Sequence, residues 1–453
     1  MDILRRKSFD DLLAHTKEKK LNKALGAFDI TMMGLGIIIG TGIFVLTGIG
    51  AAKYAGPGLM LSFVFAAVTC AFVCLAYSEL ASFLPVSGSS YTYAYASLGE
   101  IFGWWVGWSL ILEYSVGASA VAGGWSAYFV GILHSMGIDL PKALTAVPAD
   151  GGIINLPAVL IVALATALLV VGVRESAHVN RILVYVKIGT IFLFLFLAGP
   201  HIEPMNWEPF LPYGVHGVFA GTAVLFFAYL GFDALSTAAE ETKNPKRDMP
   251  IGIISALAIC TVLYIAVCAT MTGVVPYPML DTAAPASFVL EYIGLHLGSA
   301  IVGTGAICGL STVVLGMLFA QSRALYSMSR DGLMPMSLYK VHPKFQTPYI
   351  IQIVIGVIVA CITGFTPIHI VAETCSAGIL VLRRIYPNHP RGFRCPAVHI
   401  IAPLGFICCA FIFFELSPHT LMLFSGWTIL GWLIYFVYGR KHSVLQKQEE
   451  NPS

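Results

Sequence analysis

The sequence predicts an all-α integral membrane protein with about twelve transmembrane helices. Three observations predict it. Apolar stretches long enough to cross a bilayer recur along the 453 residues at a spacing of roughly 35–40. Only 11% of residues are charged and 57% are hydrophobic, with mean hydropathy +0.81, whereas soluble domains carry about 25% charged residues. Two of the apolar stretches, the first and the sixth, are interrupted at mid-span by glycine.

The apolar runs fall at about 28–52, 58–84, 101–133, 153–173, 180–199, 215–239, 250–275, 286–328, 349–365, 368–382, 397–416 and 420–439. Residues 1–27 precede them as a polar, basic segment, in which Asp10–Lys23 reads as a short amphipathic helix on the membrane surface. The first run is too long for a signal-peptide core, so no cleaved signal is expected. An N-terminus on the cytoplasmic side places 24 of the 26 Lys and Arg inside, with Lys53 and Lys142 outside. The positive-inside rule therefore puts both termini in the cytoplasm. The net charge of +2 is spread between apolar runs and forms no basic patch for nucleic acid. The ten cysteines lie almost all inside apolar runs without a CxxC pair and read as small hydrophobes. The histidines, such as His134, His201 and His216, sit mostly in loops, and no spacing suggests a metal. No cofactor is expected.

The first run carries Ile37-Ile38-Ile39-Gly40-Thr41-Gly42-Ile43-Phe44, two glycines where an unbroken helix prefers Leu or Ala. A break in hydrocarbon is tolerated only where the freed backbone groups face protein, water or a ligand. Such a break points two helix-dipole ends at the gap. The amides of Thr41, Gly42 and Ile43 then suit a carboxylate, and carbonyls near Ile38 suit an ammonium group. The same glycines also suit close helix–helix packing. The sixth run has its interruption at Phe226-Phe227-Ala228-Tyr229-Leu230-Gly231-Phe232-Asp233. Runs one and six hold corresponding places in two five-helix halves and enter the bilayer from opposite sides. That pairing is a pointer to a transporter built from inverted repeats.

Further along, the residues carry a resemblance. Gly40-Thr41-Gly42-Ile43-Phe44, Pro85-Val86-Ser87-Gly88-Ser89-Ser90-Tyr91 and Gly231-Phe232-Asp233 come first. Ala239-Glu240-Glu241-Thr242-Lys243-Asn244-Pro245 and Ser329-Arg330-Asp331-Gly332-Leu333 follow. From about Leu25 to Arg440 the chain resembles bacterial permeases of the amino acid–polyamine–organocation superfamily, nearest the cationic amino acid transporter branch. The resemblance implies a leucine-transporter-like 5+5 inverted repeat with helices 1 and 6 broken, plus two extra helices. The corresponding divisions are 1–27, a first repeat at 28–199, a second at 200–396, two further helices at 397–440 and a tail at 441–453.

Carried over by position, the resemblance places substrate against Ile38, Gly40, Thr41, Gly42 and Ile43 in the first run and Phe227, Ala228 and Leu230 in the sixth. The carboxylate would meet Thr41 and Gly42; the amino group would meet the carbonyls of Ile38, Phe227 and Leu230. Phe227 aligns with an aromatic gate, and Glu241 lies where an inner gate latches or where a solvated turn sets topology. Met317 in run eight faces the substrate side chain or, alternatively, the core or the lipid. Of the ionisable residues inside apolar runs, three are candidates for proton coupling: Lys187, Glu113 and Asp233. Lys187 alternatively snorkels to the surface. Asp233 alternatively caps a half-helix.

The tenth run departs from the pattern. Ile368 to Leu382 is fifteen residues, or about 22 Å, short of a roughly 30 Å hydrocarbon core. Relatives typically carry about eleven more residues between Gly378 and Leu382. The expectation is therefore a strained tenth span in a multi-pass plasma-membrane protein. Its expected activity is proton-coupled uptake of L-amino acids by alternating access, with no enzymatic chemistry. Alternatives are an exchanger or a transport-inactive amino acid sensor or scaffold, and a small single-helix membrane partner is possible.

Overall fold

In hydrocarbon every backbone N–H and C=O must bond within its own segment, so long apolar runs become helices. The computed structural model describes residues 5–6, 25–83, 89–171, 173–229, 231–345, 347–365, 393–414 and 418–446. Among these residues there is no strand, only an isolated bridge between Leu25 and Thr242. Seven helical stretches are long and apolar enough to cross a membrane. Four shorter apolar helices accompany them: Ala27–Ile38, Leu156–Val171, Tyr349–Thr363 and Val398–Phe411. The longest stretch, Gly42–Phe83, joins parts of the first and second runs, and Gly56 divides it at φ +60°. The Asp10–Lys23 segment and the tenth run at 368–382 lie outside the described residues.

The first element, α1 (Ala27–Ile38), starts where the Gly26 amide donates to Asp29 Oδ2 at 3.0 Å. It ends at Ile39, which is extended (φ −72°, ψ 102°). Helix resumes at Thr41 and continues through Ala55. Next come α2 (Leu59–Phe83), α3 (Ser89–Ser97) and α4 (Glu100–Ser135). After them run α5 (Leu156–Val171), α6 (Val173–Ala198) and α7 (Gly214–Phe226). The chain then leaves α-helix through a tight turn at Phe227–Tyr229, Gly231 at φ +107° and a 3₁₀ segment at Ala234–Glu241. The remaining helices are α8 (Pro245–Val274), α9 (Pro285–Tyr292), α10 (His296–Arg330), α11 (Tyr349–Phe365), α12 (Val398–Phe414) and α13 (Pro418–Ile434).

At the centre α4 and α10 pack lengthwise, held by polar bonds that hydrocarbon cannot replace. Gln321 Nε2 donates to Ile111 O at 3.0 Å and to Ser115 Oγ at 2.6 Å, and Trp125 Nε1 donates to Ser311 Oγ at 2.9 Å. On the other flank α8 lies against α1 and α2. The distribution of side chains is the reverse of a water-soluble protein's. Phe196, Leu297, Val437 and Val262 are 68–78% exposed, while Lys187, Asp233, Glu79 and Glu100 are buried. Such a contiguous apolar exterior marks a lipid-facing surface. The chain is a multi-pass membrane protein.

At one end of the bundle buried polar groups gather the chain's extremities. Glu100 accepts from Ser443 Oγ at 2.5 Å, Tyr435 OH at 3.0 Å and Tyr95 OH at 3.1 Å, while its amide donates to Arg5 O. Burial, and then the Glu100 carboxylate, pushes the Tyr95 phenol well above its ordinary pKa, so it remains a donor. Arg5 and Ser443 thus lie at the same end of the molecule.

Candidate functional site

Where α1 stops at Ile38, its last carbonyls have no helical partner and must find others. Lys187, on α6 and wholly buried, donates from its ammonium group on both sides of that end: Nζ lies 2.7 Å from Gly36 O and 2.6 Å from the O of Ile39, the residue just past α1. Thr312 Oγ1, on α10, adds a bond to Gly36 O at 3.1 Å. Tyr264, on α8, places its hydroxyl 2.8 Å from Ile38 O and 2.8 Å from Ala228 O. A phenol has one proton to donate, so this group is shared between the two interrupted segments.

Between those segments lies a small cavity of about 10 Å³, room for about one water. Ile38, Gly40, Thr41, Gly42, Phe227, Ala228 and Met317 all line it, joined by Ile37, Val121 and Val313. Chain positions near 40, 120, 228 and 315 are therefore brought to one place. The lining combines the glycines of the first break with mainly aliphatic residues, and Phe227 is the one aromatic side chain among them. The helix resuming at Thr41 leaves its first amides without intrahelical acceptors. Those amides, at a helix N-terminus, favour an anion.

Close approach makes this geometry, and glycine permits it. A Cβ on Gly42 would lie 2.3 Å from Ala228 Cβ and 2.7 Å from Ala228 Cα. Gly231 combines φ +107° with a Cβ position 2.4 Å from Ile37 Cγ2. No other residue satisfies both its conformation and its space.

The other residues singled out in the sequence lie elsewhere. Ile43 is buried outside the cavity lining. Lys187 sits behind α1 at the break. Asp233 accepts a hydrogen bond from Tyr114 of α4, tying the unwound segment to that helix. Glu113 is buried on α4 and does not line the cavity. Leu230 and the Glu241 side chain fall outside the described residues. Sequence reasoning missed Tyr264, Thr312, Tyr114, Val121 and Val313. For the tyrosines a signal existed, because a buried phenol needs a hydrogen-bond partner.

The amino acid permease family matches residues 25–438. The chain belongs to that family. Branched-chain amino acid permease BcaP of Bacillus subtilis (strain 168) is 47% identical to this permease, over 98% of the chain and 99% of the relative. The methylthioribose transporter of the same organism is 43% identical, over 98% and 99%. Cationic amino acid transporter 4, vacuolar, of Arabidopsis thaliana is 37% identical, over 85% and 68%. These relatives are named for transport, and the permease is a transporter and not an enzyme.

The shared Tyr264 hydroxyl gives the permease a testable dependence. Tyr264→Phe is expected to leave the carbonyls of Ile38 and Ala228 short of a donor and to weaken substrate binding about 10-fold, equivalent to about 1.4 kcal/mol. Binding measured by calorimetry or thermal shift checks this. Unchanged affinity would remove the hydroxyl from the site.

Proposed function

We propose that this permease is a secondary active transporter of neutral L-amino acids, working by alternating access and coupled to protons. The observation that carries the reading is the cavity between the two interrupted segments, whose lining draws residues from both breaks and holds no charged side chain. A zwitterion needs one end of each sign. The amides of Thr41, Gly42 and Ile43 take the carboxylate, and the carbonyls of Ile38, Phe227 and Leu230 take the ammonium group. Recognition by backbone serves any α-amino acid, so side-chain choice falls to the aliphatic walls and Met317. An uncharged lining suits a neutral side chain, in keeping with a relative named for branched-chain amino acids.

The architecture proposed is the twelve-span inverted-repeat fold, with the first and sixth spans broken, in the plasma membrane with both termini cytoplasmic. Phe227 closes over substrate and Glu241 latches the inner side. Lys187 is the proton site, because it holds carbonyls on both sides of the end of α1 and lies where the broken span must rearrange. Glu113 and Asp233 are secondary candidates; the bond from Tyr114 supports a structural role for Asp233.

Purified protein in liposomes with an inward proton gradient tests the proposal. Accumulation of neutral amino acids that collapses with a proton ionophore is expected. Absence of uptake for every amino acid offered overturns it.

A further inference from the structure

Met317 borders the cavity from α10, and opposite it on α4 stands Gly117, one helical turn before Val121 of the same wall. A Cβ on Gly117 would lie 2.7 Å from Met317 Sδ and 3.1 Å from its Cε. The end of the methionine thus occupies the space that a side chain at position 117 would fill. The two helices cannot spread to relieve a larger residue there, because hydrogen bonds pin them on both sides of the contact. Gln321 bonds Ile111 O and Ser115 Oγ on one side, and Trp125 bonds Ser311 Oγ on the other. A methionine tip is flexible, whereas these backbones are not. Any group added at 117 therefore displaces the thioether, and the void beside it is the cavity.

We propose that Gly117 is a specificity-determining positioning residue: by giving the Met317 thioether room against α4 it holds that side chain back at the cavity wall and so sets the size of aliphatic substrate side chain that enters. The inference rests on the transport reading above and adds to it a size class, the branched aliphatic amino acids, together with the residue that admits them. Gly117 does not line the cavity itself, and it acts through the thioether. A methyl group at 117 pushes Met317 inward and leaves room only for small side chains.

Proteoliposome uptake of leucine, valine, alanine and glycine tests this with the full-length protein. Gly117→Ala is expected to lower the leucine-to-alanine ratio of kcat/KM by roughly 10–200-fold, the range that one methylene commands in an apolar pocket. Adding Met317→Ala to that variant is expected to restore leucine uptake, which loss of folding would not allow. Met317→Ala alone, which does not depend on Gly117→Ala folding, is expected to extend uptake to phenylalanine. An unchanged ratio, an equal fall for all four amino acids, or a double variant that stays closed to leucine overturns the proposal. If wild type carries no amino acid, the transport reading itself fails. If wild type transports and only the ratio stays fixed, this inference alone is lost.

Discussion

Gly42→Ala is expected to bring amino acid uptake to background. The added methyl group would stand 2.3 Å from Ala228 Cβ, and 2.7 Å from Ala228 Cα. The second distance decides the outcome, because a main-chain atom cannot rotate away as a side-chain tip can. The two interrupted segments must separate, and with them the amides at Thr41 and Gly42 and the Tyr264 hydroxyl that spans both. Overpacking of this kind costs about 1–3 kcal/mol of stability. The functional loss is larger, since a displacement of about 1 Å in a preorganised site costs on the order of 100-fold. Initial uptake rates and the thermal midpoint, read together, separate the two effects. Introducing Ala228→Gly into the variant removes the Cβ clash but keeps the Cα one, so partial recovery is expected. Wild-type uptake by Gly42→Ala would show that the segments do not need their close approach.

How far the sequence foretells this arrangement depends on the kind of information each feature needs. Membrane helices announce themselves locally, because hydrocarbon demands long apolar stretches and little else. The interruption at Gly40-Thr41-Gly42 is local too, since glycine pairs are out of place in an apolar helix. The helical stretch Gly42–Phe83 shows the limit: its two apolar runs are separable by eye at Gly56-Pro57-Gly58, yet the backbone stays helical across most of the join. Partnerships are another matter. Nothing near Tyr264 says that its hydroxyl reaches residues 38 and 228, and nothing near Tyr114 names Asp233. Those bonds depend on which helices become neighbours, and an apolar run without a strong polar face does not encode its rotation. Val121 and Val313 are ordinary valines until α4 and α10 are turned toward the cavity. Lys187 was visible as a charge out of place, but its acceptors, two carbonyls on another helix, were not.

Lys187→Gln and Lys187→Ala are expected to divide holding the break from coupling protons. In wild type, one Nζ serves Gly36 O and Ile39 O, the carbonyls on either side of the end of α1. A hydrogen bond to a charged donor contributes about 1.5–3 kcal/mol, so the pair is worth more than any single contact at the site. Alanine removes both bonds. Gly36 O keeps Thr312, and Ile39 O loses its lysine donor, so a lowered thermal midpoint and loss of most uptake are expected. Glutamine keeps a neutral N–H donor but cannot gain or lose a proton near neutral pH. If Lys187 carries the coupled proton, wild-type uptake rises as external pH falls, and the glutamine variant keeps a flat profile whatever residual rate it retains. If Lys187 only holds the backbone, glutamine recovers rate in proportion to recovered stability and the pH slope is unchanged. Uptake of one neutral amino acid across external pH, with thermal midpoints of both variants in the same preparations, decides between these results. A wild-type slope retained by Lys187→Gln would move the proton site elsewhere, with Glu113 the next buried carboxyl to replace.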